Sequence, residues 1–231
     1  MKSILTKDLM EFSETKLRRS ISDKTRLLEI LAVIATSFGK FIFMDFLNWR
    51  LQFVVFAIVV WTVYVVYRSK QEKAILNYWG FRFDNFKSAV KLMLPFGIFS
   101  MTLFIIVGYF QDTINVTWHI LPLLLTYPIW GCIQQFLVIG LIAGNLNGLK
   151  RKKINKVSII FITAILFSVA HFPSIYLMAG TFLLALFYGY VYLKIKNIYA
   201  MGLFHGWLGA LFYYTVVNRD PFQEVFLKFI N

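Results

Sequence analysis

Apolar positions in this chain neither alternate nor trace a single helical face; they run on in long blocks. A block of about 20 apolar residues is what carries a helix across the hydrocarbon core of a bilayer. The pattern predicts seven such helices, over 27–47, 51–67, 90–110, 119–146, 156–172, 174–193 and 197–217. The first is the least apolar, because Glu29, Lys40 and Asp45 interrupt it. Residues 1–26 are polar and charged, and they predict a helix lying on the membrane surface or a solvated tail. They lack the short apolar core and small-residue cleavage site of a signal peptide. No internal repeat and no separating linker is visible, so 27–217 reads as one transmembrane bundle followed by a tail over 218–231. The fold class is all-α and polytopic.

Composition supports this pattern. Hydrophobic residues make up 59% of the 231 positions and charged residues 15%, with a mean hydropathy of +0.67. Soluble domains average about 45–50% apolar and about 25% charged. A soluble globular enzyme, a disordered chain and a disulfide scaffold are all excluded. Cys132 stands alone, so no intrachain disulfide can form.

The formal charge of +13 would suggest nucleic acid in a soluble protein. Here the basic residues lie between apolar blocks without a nucleic-acid motif, and no such partner is expected. They sort instead by side. With the N-terminus inside, seven fall before residue 27, six over 68–91 and five over 150–156, together with Lys194 and Lys196. Only Arg50, Arg219 and Lys228 fall outside. Membrane proteins concentrate Lys and Arg in cytoplasmic loops, so this split predicts N-inside, C-outside and a multi-pass protein of the cell membrane. Trp49 and Trp118 fall at outer borders and Trp79 near an inner one, where interfacial anchors are expected. The Lys150-Arg151-Lys152-Lys153 run reads as an orientation signal or a recruiter of anionic lipid.

Polar groups inside an apolar bundle are costly, so each requires a reason. Gln134 and Gln135 lie in the middle of the fourth span, where interhelical hydrogen bonding is one reading. Phe167 and His171 share a helix face at the end of the fifth span, just before Pro173. His205 lies in the seventh, among Gly202, Gly206 and Gly209. His119, at an outer border, reads as interfacial. At about 1.5 Å per residue, Gln134, His171 and His205 lie ~20, ~22 and ~13 Å from the inner ends of their spans, overlapping around mid-membrane.

In order and spacing these residues resemble the CPBP family of CAAX-prenyl-protease and bacteriocin-processing membrane proteins, also called Abi. That family carries E-E-x-x-x-R-G, then F-x-x-x-H, then H-x-x-x-N or H-x-x-x-D on successive helices. Gln134-Gln135 through Gly140 stands in place of the first motif, Phe167 to His171 matches the second, and His205 to Gly209 occupies the third. The resemblance covers about residues 90–217. It implies catalytic positions at Gln134, Gln135, His171 and His205, with Phe167 and Gly209 supporting. In the family the glutamates activate a water, while the histidines and asparagine orient it or stabilise an oxyanion. Here both glutamates are glutamine, Ile139 replaces the arginine and Gly209 the asparagine, and no Asp or Glu lies between 113 and 219. An amide cannot serve as a base near neutral pH.

The reading is therefore an intramembrane endopeptidase fold with peptidase activity weak or lost. The alternatives are a non-catalytic module that binds a membrane-embedded peptide or a membrane-protein partner, and a small transporter with a histidine proton relay. Catalytic zinc usually takes three protein ligands, and His171 with His205 supplies two, so neither a metal nor a cofactor is expected. The expected site brings Gln134 or Gln135 within ~8 Å of both His171 and His205, a span that one or two waters can bridge.

Overall fold

The computed structural model describes residues 15–224, which are helical with no strand among them. The parts of the N-terminal segment and C-terminal tail at 1–14 and 225–231 lie outside the described residues. Helix α1 spans Asp23–Gly39 and runs on as a π-helical stretch, Lys40–Phe46. Then come α2 (Arg50–Gln71), α3 (Ile75–Trp79), α4 (Phe86–Gln111) and α5 (Ile120–Gln135). α5 continues through π-helical Phe136–Ala143 into Gly144–Gly148. α6 (Lys156–Val169), α7 (Ile175–Ile195) and α8 (Ile198–Phe212, extended by π-helical Tyr213–Val217) complete the chain.

Local sequence sets the ends. Ser22, Asn155 and Asn197 cap α1, α6 and α8, each side chain accepting a backbone N–H three residues on. Gly80 ends α3 at a φ of 101°, a left-handed conformation that a Cβ would penalise.

Six continuous helical stretches are long and apolar enough to cross a membrane: Asp23–Phe46, Arg50–Gln71, Phe86–Gln111, Ile120–Gly148, Ile175–Ile195 and Ile198–Val217. The remaining expected span, 156–172, is the shorter apolar helix α6, which stops at Val169. Its 14 residues reach about 21 Å, against a hydrocarbon core of about 30 Å. Large apolar side chains cover the outward faces; α2 buries only Trp61 and leaves Val55, Phe56, Val59 and Val63 exposed. That surface requires lipid, since soluble monomers rarely expose contiguous apolar patches of this extent.

The helices gather into two compact units. The first holds the described residues up to Arg82 together with Leu137–Lys196; the second holds Phe83–Phe136 and the described residues from Asn197 onward.

Within the first unit, residues 15–20 are helical, and the segment buries Leu17 and Ile21 while Lys16, Arg18 and Arg19 stay exposed. The charges that interrupt α1 all find partners. Arg26, fully buried, donates to Tyr78 Oη (3.0 Å), Asn145 Oδ1 (3.2 Å) and the Arg18 carbonyl (3.0 Å). Glu29 accepts from Asn145 Nδ2 (2.6 Å) and from the Tyr64 hydroxyl, with Arg68 3.9 Å away. Lys40 and Asp45 pair at 2.9 Å. Five residues apart, they meet because a π-helical turn bonds i to i+5 and sets such positions above one another. Burying an ion is tolerable only when it is paired and hydrogen-bonded. Trp79 corrects the sequence reading: it is 2% exposed and lies in the unit's core, its carbonyl accepting from Tyr192 Oη at 3.0 Å.

Within the second unit, α8 packs along α5 and α4. Its seam of Gly202, Gly206 and Ala210 repeats every four residues, the small-residue spacing that lets helix backbones approach. A Cβ at Gly131 would collide with the Gly202 carbonyl, one at Gly202 with Cys132, and one at Gly206 with Pro128. Farther along, Ala210 and Tyr214 pack with Leu123. Residue numbers rise on α5 as they fall on α8, so the two helices are antiparallel.

Candidate functional site

Gln135 is fully buried on α5, on the same face as Leu123, Tyr127 and Gly131 at a spacing of four. A hydrogen bond of 2.9 Å joins its Nε2 to His205 Nδ1 on α8. Helical side chains lean toward the N-terminus of their own helix. On antiparallel α5 and α8 that tilt carries Gln135 back over Gly131 and His205 back over Gly202, so both lean toward the point where the two backbones cross. Glycine is required there on both sides, because any side chain would hold the helices apart.

An amide Nε2 only donates, so His205 Nδ1 accepts. The neutral ring then carries its proton on Nε2. The Gln135 Oε1 atom is buried and without a hydrogen-bond partner. Gln134, about 100° round the helix from Gln135, is half-buried. π-helical turns recur at functional sites, and one begins at Phe136, directly after the pair. Gly209, one turn beyond His205, has open space where a Cβ would stand.

Phe167 and His171 belong to the first unit. Phe167 is buried near the end of α6, and His171 lies in the turn that follows, ahead of a cis Phe172–Pro173 bond. His171 Nδ1 donates to the Phe167 carbonyl (2.8 Å), and the ring stands edge-on to the Phe167 ring, centroids 4.9 Å apart. Its neutral ring therefore carries its lone pair on Nε2, the tautomer opposite to that of His205. Lys40 Nζ donates to the neighbouring Phe172 carbonyl at 2.9 Å. An apolar cleft in the same unit, lined by Ile34, Phe38, Phe41, Ile142, Leu166 and Val169, approaches this turn at Ala170.

One polar cluster escaped the sequence reading. Asp220 accepts from His119 Nδ1 (2.6 Å), Tyr214 Oη (2.8 Å), Thr117 Oγ1 (2.9 Å) and the Gln223 N–H (3.0 Å). Burial raises the Asp220 pKa, but these four donors outweigh it and hold the carboxyl down at about 2. His119 is thus a carboxylate-bound residue and not merely interfacial. No local signal joins two residues 101 positions apart. Among the described residues, no group of three or more His, Cys, Asp or Glu is placed to hold a metal ion.

These helices, apolar outside and seamed with a few paired polar groups, define a multi-pass integral membrane protein in a lipid bilayer. Residues 113–211 match the Rce1-like family, described as type II CAAX prenyl endopeptidase Rce1-like. Over that stretch the chain is similar to CAAX-protease-like membrane proteins, as its motifs are, and the match takes in Gln134, Gln135, His171 and His205. No curated protein and no solved structure matches it.

Proposed function

We propose that this protein keeps the intramembrane endopeptidase fold with peptidase activity weak or lost, and that it binds a membrane-embedded peptide or membrane-protein partner. The observation that carries the reading is the Gln135 side chain. It stands where the family has a glutamate, is fully buried, and donates through its amide to His205. A carboxylate there would accept a proton; the amide is too weak a base to take one up near neutral pH and acts only through hydrogen bonds. The carboxylates of α1 do not substitute for it, because Glu29 is held by Tyr64 and Asn145 and Asp45 by Lys40. General-base assistance is worth about 10²–10⁴-fold, and an oxyanion donor of the kind missing at Gly209 about 10²–10³-fold.

The test is purified protein in detergent with a panel of membrane peptides, beside the Gln134→Glu/Gln135→Glu variant. The native protein should cleave at least about 10²-fold more slowly than that variant, or not at all. Efficient native cleavage, abolished by His171→Ala, would overturn the reading. The proposed setting is the cell membrane with the N-terminus inside, which rests on the loop charges.

A further inference from the structure

We propose that the segment 15–26 and the loop 150–156 form one composite cationic surface that binds the anionic phospholipid headgroups of the surrounding bilayer. The two stretches hold ten basic residues and a single acidic one, Asp23. An orientation signal needs such charges in number and no particular arrangement. The fold gives them an arrangement. The Asp23 carboxylate accepts the backbone N–H groups of Lys150 (3.0 Å) and Arg151 (3.1 Å). Arg18 donates to the Asn147 carbonyl at 2.8 Å, and Lys150 Nζ to the Arg19 carbonyl at 2.6 Å. Leu17 and Ile21 are buried and anchor the segment. Residues 127 to 131 positions apart are thus pinned side by side.

These bonds do not cancel the charge they gather. Both cations that tie the segments together end on neutral carbonyls, and Asp23 supplies one negative charge. Lys16, Arg19, Lys24, Arg151, Lys152 and Lys153 stay exposed, with no side-chain hydrogen bond or ion pair among the described residues. Like charges held together repel, and an anionic ligand relieves that repulsion. The position of the surface selects the ligand. Lys24 is followed on α1 by exposed Leu27, Leu28 and Leu31, and Lys156 on α6 by exposed Val157 and Phe161. Apolar side chains open to lipid begin within one turn of the cations. That sets the cations at headgroup depth, where phosphate oxygens accept from Lys and Arg. Each Lys or Arg near such a surface strengthens binding by about fivefold.

The experiment titrates the purified full chain in neutral detergent with palmitoyl-oleoyl phosphatidylglycerol, and separately with phosphatidylcholine of the same chains. Native mass spectrometry counts the bound lipid. The native protein should bind the anionic lipid at least about tenfold more tightly. Lys16→Gln/Arg19→Gln/Lys152→Gln/Lys153→Gln should reduce that preference to about twofold or less. Lys70→Gln/Lys73→Gln/Lys87→Gln/Lys91→Gln removes the same charge outside the surface and should keep the preference. Asp23→Ala makes the surface more positive but releases the loop, and should weaken binding by at least about twofold. No preference in the native protein overturns the proposal. Equal loss in the two quadruple variants, or unchanged or tighter binding by Asp23→Ala, also overturns it, because charge alone then suffices. A soluble polyglutamate peptide that displaces the bound lipid at equal charge concentration overturns the lipid as ligand in favour of an acidic protein.

Discussion

The approach of α5 and α8 can be tested at Gly202. Replacing it with alanine adds one methyl 2.6 Å from the backbone nitrogen of Cys132 and 2.7 Å from its Cα. Carbon contacts rest near 3.5–4.0 Å, so the helices must part by about 1 Å. The Cys132 sulfur is nearer still and can rotate away, but the nitrogen and Cα are backbone, and no side-chain rotation relieves them. The same movement stretches the 2.9 Å Gln135–His205 bond to about 3.9 Å, beyond hydrogen-bonding range. Overpacking costs about 1–3 kcal/mol and the lost bond about 1 kcal/mol more. Alanine returns up to about 1 kcal/mol of helix propensity. The net expectation is a loss of about 1–3 kcal/mol. Gly209→Ala is the control on the same helix. Nothing lies within 4 Å of its added Cβ, so only the propensity gain remains. Equilibrium unfolding in mixed micelles should separate the two variants by about 2–4 kcal/mol in that order. Equal stability, or a Gly202→Ala variant no weaker than native, would refute the close crossing on which the site geometry depends.

Three further outcomes are expected. Tags at the two termini should prove accessible from opposite sides of intact cells, and labelling of both from one side would remove the odd number of spans. Asn145→Ala should cost about 3 kcal/mol in the same unfolding assay, because it strips a hydrogen bond from both buried Arg26 and buried Glu29; a change under about 0.5 kcal/mol would show that water replaces the amide. Asp220, held at about 2 against an ordinary 3.8, contributes stability that is complete above the ordinary value and lost as pH falls through the lower one. The gap between native and Asp220→Asn proteins, up to about 2 kcal/mol at neutral pH, should close between pH 4 and 2, and a gap independent of pH would refute the network as its source.

The membrane class and helix order were determined by the sequence, because lipid leaves a spanning segment no freedom. Every backbone polar group must be satisfied within the helix, so a run such as Leu51 to Tyr67 can do little else. The family motifs were legible for a related reason: Gln135, His171 and His205 are polar residues where polarity is costly, and such positions stand out in an apolar background. What the sequence could not determine is which polar groups meet. Glu29 weakened the first span on paper, yet Asn145, 116 residues away, neutralises that cost. His119 and Asp220 look like two unrelated border residues until the chain brings them together. Local pattern also missed the early end of α6 at Val169 and the burial of Trp79, which depends on neighbours such as Tyr192 and not on its own surroundings. The tautomer of His205 is the sharpest case. The identity of residue 135 is written in the chain, but its effect on the ring exists only because Gly131 and Gly202 let two backbones cross closely enough for the amide to reach it.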